Sequence, residues 1–516
     1  MTKIITRSIP LDYFRYMNIL TAEQIRQLDR YTTEHEPIAS VDLMERAANK
    51  FFTAFARQVK LNCVIQIFCG QGNNGGDGLA IARMLIEAGY LHVQVNVVQH
   101  TPNPTADFLL NQSRLENLSG IHRIETEHQI PTIDVSATVI DAIFGTGLLR
   151  PVEGLAASVI CAINASGAKV FSVDIPSGLF CDHPNEAADV IVESTMTYTF
   201  HAPKMSFMYS ANGRYVPQFR VLDIGLHTGY AEYLNGKYHY ITSSMISTFH
   251  RVRTKFSHKG TYGHVLVAAG GSGKMGAAVL AVKAAVRSGA GLVSALVPDE
   301  GYSIMQTTNP EAMVETTEDF VRDNFTSLAA YTSIAAGPGI GTSTNTHAWL
   351  QSLLKNCQQP LLLDADALNI ISSDRKLLKQ LPVDTILTPH PGEFKRLAGE
   401  WSTDEEKLNL QLQFSKEHRL IVVLKGAHTS ISTSDGHLYF NSTGNAGMAK
   451  GGSGDVLTGV IASLRAQHYS VLQAALLGVY IHGLAGDLAA EHLGQTGMNS
   501  GDIIRYLPQA FKQVEK

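Results

Sequence analysis

At 516 residues the chain is longer than one hydrophobic core organises, since single cores stop growing near about 250 to 300 residues, and two domains are expected. Its 45% hydrophobic and 17% charged residues describe a globular protein, and a formal net charge of -5 offers nucleic acid no electrostatic attraction. Cys63, Cys69, Cys161, Cys181 and Cys357 are odd in number and lack CxxC spacing, which argues for buried reduced thiols rather than a disulfide frame or a zinc site. Neither a signal-like leader nor an uninterrupted apolar run long enough to span a bilayer is present, so a cytoplasmic protein with no membrane partner is expected.

In chain order, residues before Ile19 show no clear period, and Thr21 with Gln24 three positions on signals a capped helix over 21–29. Residues 41–55 (VDLMERAANKFFTAF) repeat apolar side chains at helical spacing, while 63–69 (CVIQIFC) suits a strand buried on both faces. The run 70–78 (GQGNNGGDG) reads as a glycine loop, followed by a helix over 79–88 and a strand over 92–98. Such a βαβ unit places its loop at the carboxyl end of the first strand, where open α/β sheets bind ligands. Strands over 138–143 and 169–173 lead into DAIFGTGLLRP (141–151) and DIPSG (174–178), so three loops converge on one sheet edge. A strand over 195–200 ends in His201-Ala-Pro-Lys204, another over 221–225 closes this half, and the linker falls near 234–237, dividing domains 1–235 and 236–516. The second half restarts with a strand over 264–268 and a helix over 275–288. Strands follow over 292–296, 333–336, 361–363, 385–387 and 421–424, and two long apolar helices, 456–466 and 471–493, are expected to end the chain.

One stretch organises the rest: NAGMAKGGSGDVLTG (445–459). Glycines at 451, 452 and 454 allow several N–H groups to converge where a following helix presents its positive end, which makes a phosphate cradle. Asp455 then stands where a substrate hydroxyl would approach the phosphoryl group and reads as a base whose ionised form the helix end favours; the alternative is a helix cap. Residues 270–276 (GGSGKMG) fail as a Walker loop, because Ala268 and Met275 stand where glycine and Ser or Thr are required. Asn74, Asp141 and Ser177 offer hard oxygen ligands suited to an alkali or alkaline-earth ion, or are turn residues taken singly. Asp174 and Lys204 suit proton transfer or form an ordinary ion pair. His390 between two prolines suits a substrate contact, and Lys425 at a strand end suits a nucleotide phosphate.

With these motifs in place, nearly the whole chain resembles the bifunctional NAD(P)H-hydrate repair enzymes, an epimerase domain fused to a nucleotide-dependent dehydratase domain. The first half does so through GNNGGDG (72–78), DAIFGTGLLRP, DIPSG and TFHAPK (199–204). The second does so through GPGIG (337–341), LLLDADALN (361–369), LTPHPGE (387–393), LKGAHT (424–429) and NAGMAKGGSGDVLTG. His201, Ala446 and Lys450 depart from the family's frequent Gly, Pro and Thr. The resemblance implies an α/β fold in two domains, the first a Rossmann-like three-layer α/β/α domain and the second ribokinase-like.

It also implies roles. Asn74, Asp141 and Ser177 would hold K+. Asn73, Asn74, Gly75, Gly76, Asp77, Gly145, Thr146, Gly147, Leu148, Leu149, Arg150, Pro151 and Asp174 would hold the hydrated dinucleotide, whose R and S forms the first domain interconverts. Ala277, Gly339, His390 and Asp455 would contact the S hydrate, and Lys425, Gly426, Ala427, His428, Thr429 and Gly454 the adenine nucleotide. ADP, or ATP, would donate the phosphoryl group with Mg2+, Asp455 would take the hydroxyl proton, and elimination of phosphate would restore NADH or NADPH. A homo-oligomer is expected. Two competitors remain: a small-molecule kinase of the same fold, and a nucleotide-sensing scaffold whose first domain has lost catalysis.

Overall fold

The computed structural model describes residues 17–234, 236–318, 320 and 328–515, so most of the aperiodic segment before Ile19, and Asn235 in the expected linker, lie outside it. Asn18–Gly236 forms one compact unit, and Lys237–Ser402 with Glu406–Lys516 forms another.

The N-terminal unit carries seven parallel strands in the spatial order Ile121–Ile124, His92–Val98, Val64–Cys69, Thr138–Ala142, Lys169–Val173, Met196–Phe200, Phe219–Leu222. Ile65, Ile67 and Cys69 enter the core on one face of this sheet and Phe68 the core on the other, which is why the run reads as continuously apolar. Chain order reverses between Val64–Cys69 and Thr138–Ala142, whose ends pair Cys69 with Ala142. A crevice opens outside the carboxyl ends of two such strands.

The glycine run here is helix, not loop. The helix spans Asn73–Glu87 and contains most of the run expected to precede it. A Cβ on Gly75 would lie 1.8 Å from Gly70 O, on Gly76 2.8 Å from Met44 Sδ, and on Gly78 2.7 Å from both Cys69 Sγ and Ala142 Cβ. These glycines let the first helical turns lie almost in contact with the strand before them; none has the positive φ of a loop glycine. Thr21 caps the helix Ala22–His35 with Gln24 completing the reciprocal bond, as read from sequence, and the helix runs a further turn and a half. Helices Ala106–Glu116 and Gly154–Ala165 and the strand Ile121–Ile124 had no clear sequence signal.

In the C-terminal unit, His264–Ala268 is flanked on one side by Leu292–Pro298 and Met313–Thr317, and on the other by Ser333–Ala336, Leu362–Leu363, Ile386–Leu387 and Ile421–Leu424, all parallel. Ser430–Ser432 and Leu438–Phe440 continue the sheet antiparallel, and Tyr238–Tyr240 pairs with the last. Val265 and Val267 face one core and Leu266 and Ala268 the other. The reversal of order lies between His264–Ala268 and Ser333–Ala336. Not two but three helices end the chain: Ser453–Ala466, Val471–Gly497 and Ser500–Val514. The middle one has the length and composition of a membrane span, yet 67% of its most apolar window is buried in the structure, the distribution of a core helix. Of the cysteines expected to be buried, Cys69, Cys181 and Cys357 are, whereas Cys63 is half-buried and Cys161 exposed on Gly154–Ala165.

Candidate active sites

A cavity of about 1240 Å³ occupies the crevice of the N-terminal sheet. Asn73, Asn74 and Asp77 from the first helical turns line it, as do residues 145–150, Asp174 and Lys204. Gly75, Gly76 and Pro151, expected as substrate contacts, do not: the two glycines are spent on helix packing. Asp174 (φ 63°) and His201 (φ 64°) both adopt left-handed backbone, a strain of roughly 1 kcal/mol or more per residue that accounts for glycine being frequent where this chain has His201. Lys204 is 1% exposed; its ammonium donates to Asp174 Oδ1 at 2.8 Å and to the carbonyls of Phe200 (3.1 Å) and Ala202 (3.2 Å). Asp174 also accepts from Phe200 N at 2.9 Å and Thr199 Oγ1 at 3.2 Å. The cavity thus holds a carboxylate and an ammonium in direct contact, with the carboxylate on the open side.

Asn74, Asp141 and Ser177 are brought together around Phe144. Asn74 Nδ2 donates to Phe144 O at 2.9 Å, Phe144 N donates to Ser177 Oγ at 2.8 Å, and Ser177 Oγ donates to Asp141 Oδ1 at 2.5 Å. Asp141 Oδ2 accepts from Ser177 N (2.8 Å) and Ser172 Oγ (2.9 Å), yet burial still holds its pKa above the ordinary range. One buried carboxylate among neutral oxygens suits a weakly charged cation, and among the described residues no group of three His, Cys, Asp or Glu side chains suits a transition metal.

Residues without a motif also line the cavity. Asp29 and Arg30 arrive from the helix Ala22–His35. Burial, then the charge of Asp174, raises the Asp29 pKa to about 6 against the opposing pull of Lys204. Burial, then Lys204, lowers His201 to about 4, so this histidine is neutral. Burial, then Asp174 and Asp29, pushes Asp77 well above the usual carboxylate range. Asp29 lies 145 residues from Asp174 in a helix whose cap was legible in the sequence, but no motif around it marked Asp29 as a site residue.

In the C-terminal unit, Gly452 (φ 89°) caps Ser453–Ala466 and Asp455 is its third residue, so Asp455 is not the cap. Asp364, itself the cap of Ala365–Ser373, accepts at Oδ1 from Lys425 Nζ (2.9 Å) and at Oδ2 from Thr458 Oγ1 (2.8 Å). A Cβ on Gly454 would lie 3.2 Å from Lys425 Nζ and 3.7 Å from Asp364 Oδ2. Lys425, Gly454 and Asp455 therefore share one site, with Asp364 and Thr458 completing it. Burial raises the Asp455 pKa to about 6, Asp364 and Asp366 add to the rise, and Lys425 opposes it. The direction is opposite to the ionised form expected from the helix end alone.

Gly270-to-Met275 and Gly337-to-Gly341 turns meet at the reversal point. A Cβ on Gly271 would lie 2.8 Å from Gly339 O, and one on Gly339 3.3 Å from Ala277 Cβ. Gly341 N donates to Asp366 Oδ2 at 2.9 Å, and Lys274 Nζ reaches the same oxygen at 3.3 Å. His390 caps Pro391–Ala398, accepting from Gly392 N at Nδ1; burial lowers the Lys425 pKa, but the charges of Asp364 and then Glu393, three residues on from His390, hold it above its ordinary value. Gly426 and Ala427 are exposed, Gly426 N donates to Thr429 Oγ1 at 3.2 Å, and the half-buried His428 contacts Asn441 O at 3.3 Å.

The last two helices pin the cradle. Asp487 accepts from Gly444 N (2.8 Å) and Asn445 Nδ2 (2.9 Å), Ser500 Oγ donates to Gly451 O (2.8 Å), and Lys450 Nζ donates to Thr496 O (2.7 Å) and Met498 O (2.5 Å). His482, held neutral by burial with a pKa near 4, stands 3.4 Å from Ser453 Oγ. Asn445, Lys450 and Gly451 stand in the 445–459 motif, but no motif pointed to the partners that anchor them.

A family model described as NAD(P)H-hydrate dehydratase matches residues 265–509, and one described as YjeF-related protein N-terminus matches residues 40–206. A bifunctional NAD(P)H-hydrate repair enzyme of Moorella thermoacetica is 35% identical over 519 residues, covering 97% of this chain and 98% of that protein. The chain belongs to the bifunctional NAD(P)H-hydrate repair enzyme family. The Escherichia coli member is 30% identical over 94% of this chain and 92% of its own. A crystal structure of the ADP/ATP-dependent NAD(P)H-hydrate dehydratase from Bacillus subtilis, co-crystallised with ATP and Mg2+, is 30% identical with a TM-score of 0.48, covering 53% of this chain and 98% of that one. As a member of the repair-enzyme family the chain is bifunctional, an NAD(P)H-hydrate epimerase and dehydratase, and the two halves described above divide accordingly. The kinase reading is the weaker one, because full-length members carry both halves and a kinase leaves the N-terminal cavity without a role.

Proposed function

We propose that the N-terminal cavity interconverts the R and S hydrates of NADH and NADPH through Asp174 and Lys204, and that the C-terminal site dehydrates the S hydrate by transient phosphorylation. The observation that carries the dehydratase reading is the shared placement of the Gly452 to Asp455 turn, Lys425 and Asp364. The first N–H groups of Ser453–Ala466 have no partner within the helix and meet a lysine there, a combination that binds phosphate oxygens. Asp455, in the same first turn, is the base for the C6 hydroxyl. A carboxyl titrating near 6 is mostly ionised at neutral pH yet basic enough to accept a proton late in transfer.

The C6 hydroxyl oxygen, its proton passing to Asp455, takes the terminal phosphoryl group of ADP, releasing AMP, and the phosphate then leaves as the ring loses its C5 proton, restoring the dihydronicotinamide. Lys425 and the turn amides hold the donor, Lys425, Gly426, Ala427, His428 and Thr429 border the nucleotide, and Ala277, Gly339 and His390 border the hydrate. Mg2+, when bound, offsets the charge on the phosphates, with Asp364 and Asp366 the nearby carboxylates. K+ fits the oxygens of Asn74, Asp141 and Ser177, which also hold the loop after Phe144 in shape. Five free thiols agree with a reducing compartment, the cytoplasm.

The test is to incubate the full chain with purified S hydrate and either ADP or ATP, with and without Mg2+ and K+, following recovery of the dihydronicotinamide absorbance and the nucleotide product. Recovery with ADP, yielding AMP and free phosphate, is expected. A stable phosphorylated product, or recovery independent of nucleotide, would overturn the scheme.

A further inference from the structure

We propose that Asp29 is a second proton-transfer group of the epimerase, working with Asp174 on the C6 oxygen from a separate element that lines the same cavity. This deepens the epimerase reading above and rests on it. The reacting carbon carries a hydroxyl and is bonded to the ring nitrogen. Inverting it by the nitrogen's lone pair means breaking the C6–O bond to give a C6=N1 iminium, then adding water to the other face. The first step needs an acid to protonate the departing oxygen, and the second a base to take a proton from the incoming water. Two groups on different walls are required, because the oxygen leaves one face and arrives on the other.

Lys204 and Asp174 act as one group: they are in contact at 2.8 Å, and Asp174 comes from the end of Lys169–Val173. Asp29 comes from Ala22–His35, outside the sheet, and lines the same cavity. Its carboxyl has no hydrogen-bond or ion-pair partner within contact distance among the described residues. Lys204, the one lysine among the described residues that line the cavity, is already committed to Asp174 and two carbonyls. Asp29 is nevertheless close enough to Asp174 and Lys204 to feel both charges, and Asp77 in turn feels Asp29. Its value of about 6 lets it give and take a proton near neutrality, whereas Asp77 holds its own far more firmly. In one direction the proton passes from Asp29 to the leaving oxygen, and the incoming water gives one to Asp174; in the other the roles exchange. Water in the cavity returns the proton between the two acids after each turnover.

The experiment compares Asp29→Asn and Asp29→Glu with the parent, all as the full chain, measuring R to S conversion, hydrate affinity, and dehydration of pure S hydrate. Asp29→Asn is expected to lose at least roughly 10²-fold in conversion, with affinity and dehydration within about twofold and Asp29→Glu recovering part of the loss. Conversion in 18O-water is expected to place solvent oxygen on C6 in the parent. Conversion by Asp29→Asn within about threefold of the parent overturns the proposal, as does a parent that inverts C6 with retention of its oxygen. If Asp174→Asn converts normally while Asp29→Asn does not, the Asp174 and Lys204 reading fails and the pairing of the two acids fails with it, leaving Asp29 needed but without this partner; a parent that converts nothing removes the epimerase reading itself.

Discussion

Replacing Lys204 by Met keeps the buried stem and deletes the ammonium. Three interactions disappear, to Asp174 Oδ1 at 2.8 Å and to the carbonyls of Phe200 and Ala202 at 3.1 and 3.2 Å. Breaking a buried pair by removing one partner costs about 3–5 kcal/mol, because the other charge stays buried without compensation. Asp174 keeps its bonds from Phe200 N and Thr199 Oγ1, and its side chain is 14% exposed to the cavity, which places the cost near the lower end, about 3 kcal/mol. For a unit of this size, roughly 2–4 °C per kcal/mol puts the fall in Tm at about 6–12 °C. Calorimetry and hydrogen exchange over Lys169–Val173 and Met196–Phe200 are the assays, because Trp349 and Trp401 are the chain's only tryptophans and both lie in the C-terminal unit. The double variant Lys204→Met with Asp174→Asn removes the stranded charge and is expected to recover most of the loss, while epimerisation stays absent. A single variant within about 1 kcal/mol of the parent, or a double variant no more stable than the single, would refute the account of a buried, mutually dependent pair.

Asp455→Asn is expected to lower dehydration by about 10² to 10⁴-fold, leave epimerisation intact, and raise the stability of the C-terminal unit at neutral pH by about 2 kcal/mol. The sign follows from a folded pKa raised to about 6: ionising this carboxyl opposes folding, a cost absent below its unfolded pKa, growing as pH rises and full above about 6. For the same reason kcat/KM for dehydration by the parent should fall as pH drops through about 6; a flat profile across that range would remove Asp455 as the base. Gly452→Val forces a β-branched residue to φ 89° and sets its Cβ 2.5 Å from Leu280 Cδ1, so dehydration should collapse and Tm of this unit fall, both readable against an unchanged epimerase rate. Lys450→Met loses the bonds to Thr496 O and Met498 O, and is expected to raise KM for the nucleotide several-fold with little change in kcat; an unchanged KM would show that this anchor does not shape the cradle.

Much of the fold was legible because each element signals itself through near neighbours. The strands His92–Val98, Lys169–Val173, His264–Ala268, Ser333–Ala336 and Ile421–Leu424 have the bounds their apolar runs predicted. Glycine was the misleading residue. In 70–78 it read as a loop, when its use at Gly75, Gly76 and Gly78 is the absence of a side chain between a helix and Gly70, Met44 and Cys69. That distinction depends on what lies opposite, and no local window contains it. The short strands Ser430–Ser432 and Leu438–Phe440 were equally silent, because three residues are too few to show a period.

By itself, the sequence determined the motifs, their order and the α/β alternation, and these suffice to name two chemistries, since glycine turns, strand-end acids and capped helices are short-range constructions. Only the tertiary structure decided which of those pieces meet. The two chain reversals bring Ala277 to Gly339 and the loop after Phe144 to Asn74, and packing carries Asp364 to a lysine 61 residues away and a threonine 94 residues away. It also set the charge states: Asp29 and Asp455 titrate near 6 because burial and distant carboxylates act on them through space, and Coulomb's law takes no account of position along the chain.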